Sequence, residues 1–191
     1  TLSSPSSTYP CRTRLTVANS ESIENRIVEH SLDVGLIEVE TRNPNLQSEI
    51  CCEDELVVIC TPDYPLHCER SVTARTLLEY EYVSREPGSG TREVSDAWFR
   101  EAGLEPERLK TQMELGSLEA LRGVVVTGLG YAIVSRASVG RELQLGSLLA
   151  IPLQPRLSRR ISVVFPKERF RSRVVSTFIE FAKRRLRELA A

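Results

Sequence analysis

The sequence predicts an α/β fold with mostly parallel sheets, and three observations point there. Short apolar runs alternate with segments of helical period, Gly and Pro punctuate the joins, and 191 residues suffice for one domain or two small lobes. A chain of this length buries about 70% of its unfolded surface and folds without staples. Arg14-Leu15-Thr16-Val17-Ala18 alternates and reads as the first strand. Asn19-Ser20-Glu21 then supplies a cap and a first-turn acid for a helix over 22–30, with Ile23, Ile27 and Val28 on its apolar face. Val34-Gly35-Leu36-Ile37 is continuously apolar, as in a strand buried on both faces.

Glu55 to Cys60 is a further apolar strand, and Pro62 and Pro65 force extended or turn geometry after it, as at a crossing between lobes. A helix over 71–80, a strand over 82–84, and a helix reaching Ala102 and ended by Gly103 follow. The next unit is a strand over 113–115 and a helix over 118–126 with Leu118, Leu121, Val124 and Val125 on one face, closed by Gly128. Strands over 131–135, 148–151 and 160–165 precede a last helix over 172–188, whose Val174, Val175, Phe178, Ile179, Phe181 and Ala182 need burial.

Composition narrows the function classes. Twenty-five Lys and Arg balance 26 Asp and Glu, so a net charge of -1 gives no broad attraction to nucleic acid or acidic lipid. No apolar run approaches the ~20 residues of a membrane span, and Thr1 to Ser7 lacks a basic region followed by an apolar one, so a cytoplasmic protein is expected. Five cysteines without a C-x-x-C motif, beside two histidines, favour neither disulfides nor a metal site. Cys51 and Cys60 read as small buried hydrophobes. No G-x-S-x-G elbow is present, no motif places His30 or His67 as a base, and the scattered carboxylates form no assignable pair, so no catalytic residue and no cofactor is nominated. The basic run Lys183 to Arg187 suits a solvated face in the last turns of a helix.

The most informative stretch is Arg85-Glu86-Pro87-Gly88-Ser89-Gly90-Thr91-Arg92, a hydroxyl-bearing glycine loop running into a helix. Free N–H groups at a helix start carry the positive end of the dipole, and Ser89 and Thr91 add donors, an arrangement suited to a small anion. Arg85 and Arg92 flank the loop and could pair with a carboxylate or phosphate. Gly116-Ser117 repeats the theme at the next helix. The loop is neither a P-loop nor a dinucleotide fingerprint.

Seven pieces in order resemble the effector-binding domain of LysR-type transcriptional regulators: Tyr9-Pro10, Asn19 to Ile23, Asp33 to Glu38, Asp54 to Val58 with Pro62 to Leu66, the Gly-Ser-Gly-Thr-Arg loop, Glu114-x-Gly116-Ser117-x-Glu119-Ala120, and Gly128 to Ser135. The loop looks most like that of regulators of cysteine synthesis and carbon fixation. The resemblance implies a two-lobed fold similar to type 2 periplasmic binding proteins, with two crossing strands and the effector in the cleft. Lobe I is expected over 1–60 and 162–191, and lobe II over 61–161.

Carried over by position, the implied effector contacts are Ser6, Ser7, Thr8, Ser20 and Glu38 from the first lobe, and Arg85, Ser89, Thr91 and Ser117 from the second. The family's helix between the first serine-threonine loop and Tyr9-Pro10 has no counterpart in this sequence. The family's winged helix-turn-helix and linker helix also lie outside it, so DNA contact is expected only through that further domain. The implied partners are a small anionic metabolite and a second copy through this domain, with a tetramer in the full-length protein. The rival reading is a transporter's solute-binding protein of the same fold.

Overall fold

The computed structural model describes residues 13–167 and 172–190. Two long strands form its spine, β2 (Leu46–Cys60) and β7 (Leu149–Pro166), paired antiparallel from Leu46↔Pro166 to Cys60↔Leu149. The register shifts between Ile50 and Cys52 and again between Leu56 and Val57, so the ribbon bends twice along its length. β1 (Gly35–Ile37) extends the sheet beside β7, and β6 (Ala132–Ser135) extends it beside β2.

Each end of the ribbon carries its own core. At one end α1 (Ser20–Val28) places Ile23 and Ile27 against Ile37, Leu46 and Val164, and α6 (Arg173–Ala190) places Ile179 against Cys51, Val163 and Phe165. At the other end lie β3 (Val72–Thr73), α2 (Ala74–Leu77), β4 (Glu81–Arg85), α3 (Gly90–Glu101), β5 (Lys110–Leu115), α4 (Leu118–Val126) and α5 (Gly140–Gln144). There Trp98, Phe99, Tyr82 and Tyr131 pack on Leu56, Val58 and Cys60 from one side, and Leu121, Val125 and Val134 pack on Val57 and Ile59 from the other. Successive β2 residues thus feed opposite faces, which is why 56–60 read as unbroken apolar sequence. Each end, with its own core, is called a lobe.

Four expectations are corrected. The main sheet is antiparallel in its β1·β7, β2·β7 and β2·β6 pairs, and the parallel pairs are β4·β5 and the short β3·β7. Alternation of strands and helices does not reveal that β2 and β7 return through both lobes. The runs at 55–60, 148–151 and 160–165 are parts of these two long strands, whose middles are polar. Residues 14–18 form no ladder, and Leu15 and Val17 are 90% exposed because no described strand lies beside them. The helix expected over 71–80 shrinks to the single turn of α2.

The basic run of α6 is partly structural. Lys183 pairs with Glu49 at 2.5 Å, and the Arg187 Nε donates to the Cys51 carbonyl at 3.3 Å, clamping the helix to β2. Cys51 and Cys60 are buried as read, and burial pushes the Cys60 thiol up to about 11.

Two glycines give opposite predictions. A Cβ at Gly130 would lie 2.5 Å from the Glu81 carbonyl oxygen, where Tyr131 N donates back to that oxygen at 2.9 Å, so neither backbone can yield cheaply. Gly130→Ala is expected to cost about 1–3 kcal/mol. Gly123, on α4, meets nothing within 4 Å, and Gly123→Ala should gain about 0.5–1 kcal/mol from helix propensity alone. Urea titrations of the two variants check both signs.

Candidate functional site

The glycine loop forms the helix start that the sequence implies. Ser89 is the N-cap of α3, so Gly90 and Thr91 open the helix with N–H groups that have no partner inside it. The acceptor facing Thr91 comes from the other lobe. Glu38, just past β1, accepts from the Thr91 N–H at 3.1 Å and from the Thr91 hydroxyl at 3.1 Å through Oε2. Ser20, the first residue of α1, fixes the base of that reach, its Oγ accepting from the Glu38 N–H at 3.2 Å.

The contact is mutual. The Glu21 N–H in the first turn of α1 donates to the Gly88 carbonyl at 3.3 Å, and the Asn19 side chain reaches the Pro87 carbonyl at 3.4 Å. Gly90 is required by this approach, since a Cβ there would sit 2.6 Å from Glu38 Cβ and 3.0 Å from Ser20 Oγ. Each lobe's helix start therefore holds an acceptor of the opposite lobe.

Arg159, on β7, joins the parts. Its side chain is 6% exposed, and it lies 2.6 Å from Glu38 Oε2 and 2.8 Å from Asp54 Oδ2, while Nη1 donates to Thr91 Oγ at 2.6 Å. Asp54 in turn accepts from the Ser135 hydroxyl at 2.7 Å. Ser135, Asp54, Arg159, Glu38 and Thr91 are thus one hydrogen-bonded chain running across β6, β2, β7 and α3.

A cavity of about 370 Å³ opens on one side of this chain, with Glu38, Asp54, Arg85, Thr91, Ser135, Ser138 and Arg159 among its lining, and Leu118, Val134 and Ile161 as apolar wall. A second, of about 580 Å³, lies against Glu38 and Arg159 with Arg42, Glu93 and Arg160. The first has the size and mix of apolar wall with few polar groups that small-molecule sites show.

The structure brings Ser20, Glu38, Ser89 and Thr91 together and puts Arg85 on the first cavity's wall. Arg85 is engaged bidentately by Glu86, at 2.8 and 3.1 Å. Burial opposes ionisation of Glu86, yet hydrogen bonds from Arg85 and from its own backbone, with the Arg85 charge, hold its carboxyl below the usual range. Arg92 turns to Glu114 at 2.6 Å and to the Arg85 carbonyl. Ser89 is 2% exposed, and its hydroxyl has no hydrogen-bond partner among the described residues. Ser117 stands apart: its Oγ caps α4 through the Ala120 N–H and donates to Glu119. Ser6, Ser7 and Thr8 lie outside the described residues.

Sequence reasoning missed Arg159, Asp54, Ser135 and Ser138 as site residues. A signal for Arg159 existed in the pair Arg159-Arg160 entering an apolar strand, because alternation sends one of two neighbours inward.

Residues 10–187 match the family model described as the LysR substrate binding domain. The RuBisCO operon transcriptional regulator of Allochromatium vinosum is 34% identical over 147 residues, covering 77% of this chain and 48% of that protein. The chain therefore spans about half the length of that relative. Among solved structures, the regulatory domain of CcmR from Synechocystis PCC6803, in complex with 2-PG, is similar with a TM-score of 0.78 at 23% identity, over 88% of this chain and 80% of that one. The effector binding domain of QuiR, in complex with shikimate, is similar with a TM-score of 0.78 at 21% identity, over 89% and 79%. The Allochromatium vinosum relative is a transcriptional regulator. The chain belongs to the LysR family of transcriptional regulators, as its effector-binding domain.

Proposed function

We propose that this domain senses a small anionic metabolite in the cleft between its lobes, with Thr91, Arg159 and Ser20 at the anion's seat and Arg85, Ser89, Ser135 and Ser138 around it. The observation that carries the reading is the buried guanidinium of Arg159 meeting the hydroxyl and N–H donors of Thr91 at a helix start, beside a cavity of small-molecule size. The ligands named for the two similar structures, 2-PG and shikimate, are of the same class.

The separate cores support a lobe division at 161/162, inside the passage 157–163 of β7, and favour moving the other from 60/61 back into the passage 51–56 of β2, because Leu56 to Cys60 pack in the core of the second end. Bends in those segments are where lobe closure would act, and closure couples occupancy to the geometry of an assembly only if the ligand prefers one lobe arrangement. In the whole protein the domain pairs with a second copy, tetramers form, a separate N-terminal domain contacts the operator, and the site of action is the cytoplasm. No described helix is long and apolar enough to cross a membrane.

Thermal unfolding against 2-phosphoglycolate, phosphoenolpyruvate, O-acetylserine, sulfate and 2-oxoglutarate tests the reading. A ligand at 100 times its Kd adds ~2.7 kcal/mol, a midpoint rise of about 5–11 °C for a chain of this size. A saturable rise for one compound is the expected result. No rise with any of them contradicts it for this anion set.

A further inference from the structure

We infer that Glu38 is a built-in occupant of the anion seat, a latch between the lobes that an effector's anionic group must displace. The inference rests on the effector reading above and gives Glu38 the role of competitor, where the family resemblance implied a ligand contact.

Four observations lead there. The Glu38 carboxylate sits where an external anion would, on the Thr91 N–H and hydroxyl at the start of α3. It also takes the Arg159 guanidinium, at 2.6 Å. Arg159 already faces Asp54 at 2.8 Å, so one buried cation stands against two carboxylates, and an added anion finds no vacant cation unless one carboxylate leaves. Glu38 is the one able to leave: its side chain is 33% exposed against 14% for Asp54, and Asp54 is further held by Ser135.

Position makes this a latch. Glu38 belongs to the α1 lobe and Thr91 to the other, and Glu38 and Arg159 line both cavities, so the bridge partitions the cleft. Turned outward, Glu38 would merge the two cavities and free the donors of Thr91. The Ser89 hydroxyl, buried and unpartnered at the same cap, is a further donor that Glu38 does not use and a multi-oxygen anion could. Binding would then exchange one carboxylate for another acceptor, and only a group with more acceptor oxygens or more charge than a carboxylate, such as a phosphate or sulfate ester, gains by the exchange.

The test uses Glu38→Gln and Glu38→Ala, with 2-phosphoglycolate and inorganic sulfate as probes. A seat blocked most of the time lowers apparent affinity by the fraction of molecules in which it is free, so removing the latch should tighten binding by about tenfold. Hydrogen exchange at the Thr91 amide, measured with no ligand, should be slow in the wild type and faster in Glu38→Ala. Wild-type binding that is unchanged or weaker in both variants overturns the latch and leaves the effector reading standing. If neither probe binds any chain, the effector reading fails for these anions, and the amide decides the latch: fast exchange already in the wild type overturns it, and release on substitution upholds it.

Discussion

Arg159→Met is expected to lower the unfolding midpoint by about 6–12 °C, the equivalent of ~3 kcal/mol for a chain of this length. The loss comes mainly from what stays behind. Arg159 is buried at 7% exposure and pairs with both Asp54 and Glu38, and its removal leaves both carboxylates without that cation. Asp54, at 14% exposure, bears most of the cost, while Glu38 can turn toward water, which is why the lower end of the usual range for breaking a buried pair is taken. Adding Asp54→Asn to Arg159→Met should recover part of the loss, because the orphan charge goes and Ser135 keeps an acceptor. Thermal unfolding of the two variants checks this. A fall below 2 °C in the single variant, or additive losses in the double, would show that the network does not hold the lobes together.

Thr91→Val should reduce effector affinity, and the size of the reduction depends on Glu38. The Thr91 hydroxyl accepts from Arg159 and donates to Glu38, and valine keeps the volume without the hydroxyl. A hydrogen bond to a charged group is worth ~1.5–3 kcal/mol, or about 10- to 150-fold in affinity. In the wild-type background Glu38 loses the same bond as the incoming anion, so the two losses partly cancel. With Glu38 replaced by alanine nothing cancels, and the full reduction appears. Calorimetric titration of the four chains of this cycle, with the anion that raises the midpoint most, measures the coupling. Equal reductions in both backgrounds would separate Thr91 from Glu38, and no reduction in either would remove Thr91 from the site.

The sequence disclosed the local chemistry of the cleft better than its closure. The Asn19 cap and the helix start at Ser117 were legible because a short polar side chain before an apolar period has few other roles, whereas Ser89 stands at the N-cap position with its hydroxyl unpartnered among the described residues. Gly90 and Thr91 were legible as a helix start. That the acceptor at that start is Glu38, fifty-three residues earlier, is a fact of tertiary structure alone. The antiparallel spine was hidden for a related reason. The middles of β2 and β7, including Glu53, Asp54, Arg159 and Arg160, are polar where the ribbon passes between lobes, so β7 reads as two separate apolar pieces and β2 only as its last piece, 55–60. Those same polar middles hold the ion pairs of the cleft. The feature that obscured the topology is the one that builds the proposed site.

The most direct test of the central claim is to titrate the isotopically labelled chain with 2-phosphoglycolate and follow backbone amides and arginine side chains by NMR. With the anion seated in the cleft, the Thr91 amide and the Arg159 guanidinium shift saturably with one common Kd, together with Ser20 and Ser89. Saturable shifts confined to another surface, with Thr91 and Arg159 unmoved, would contradict that claim.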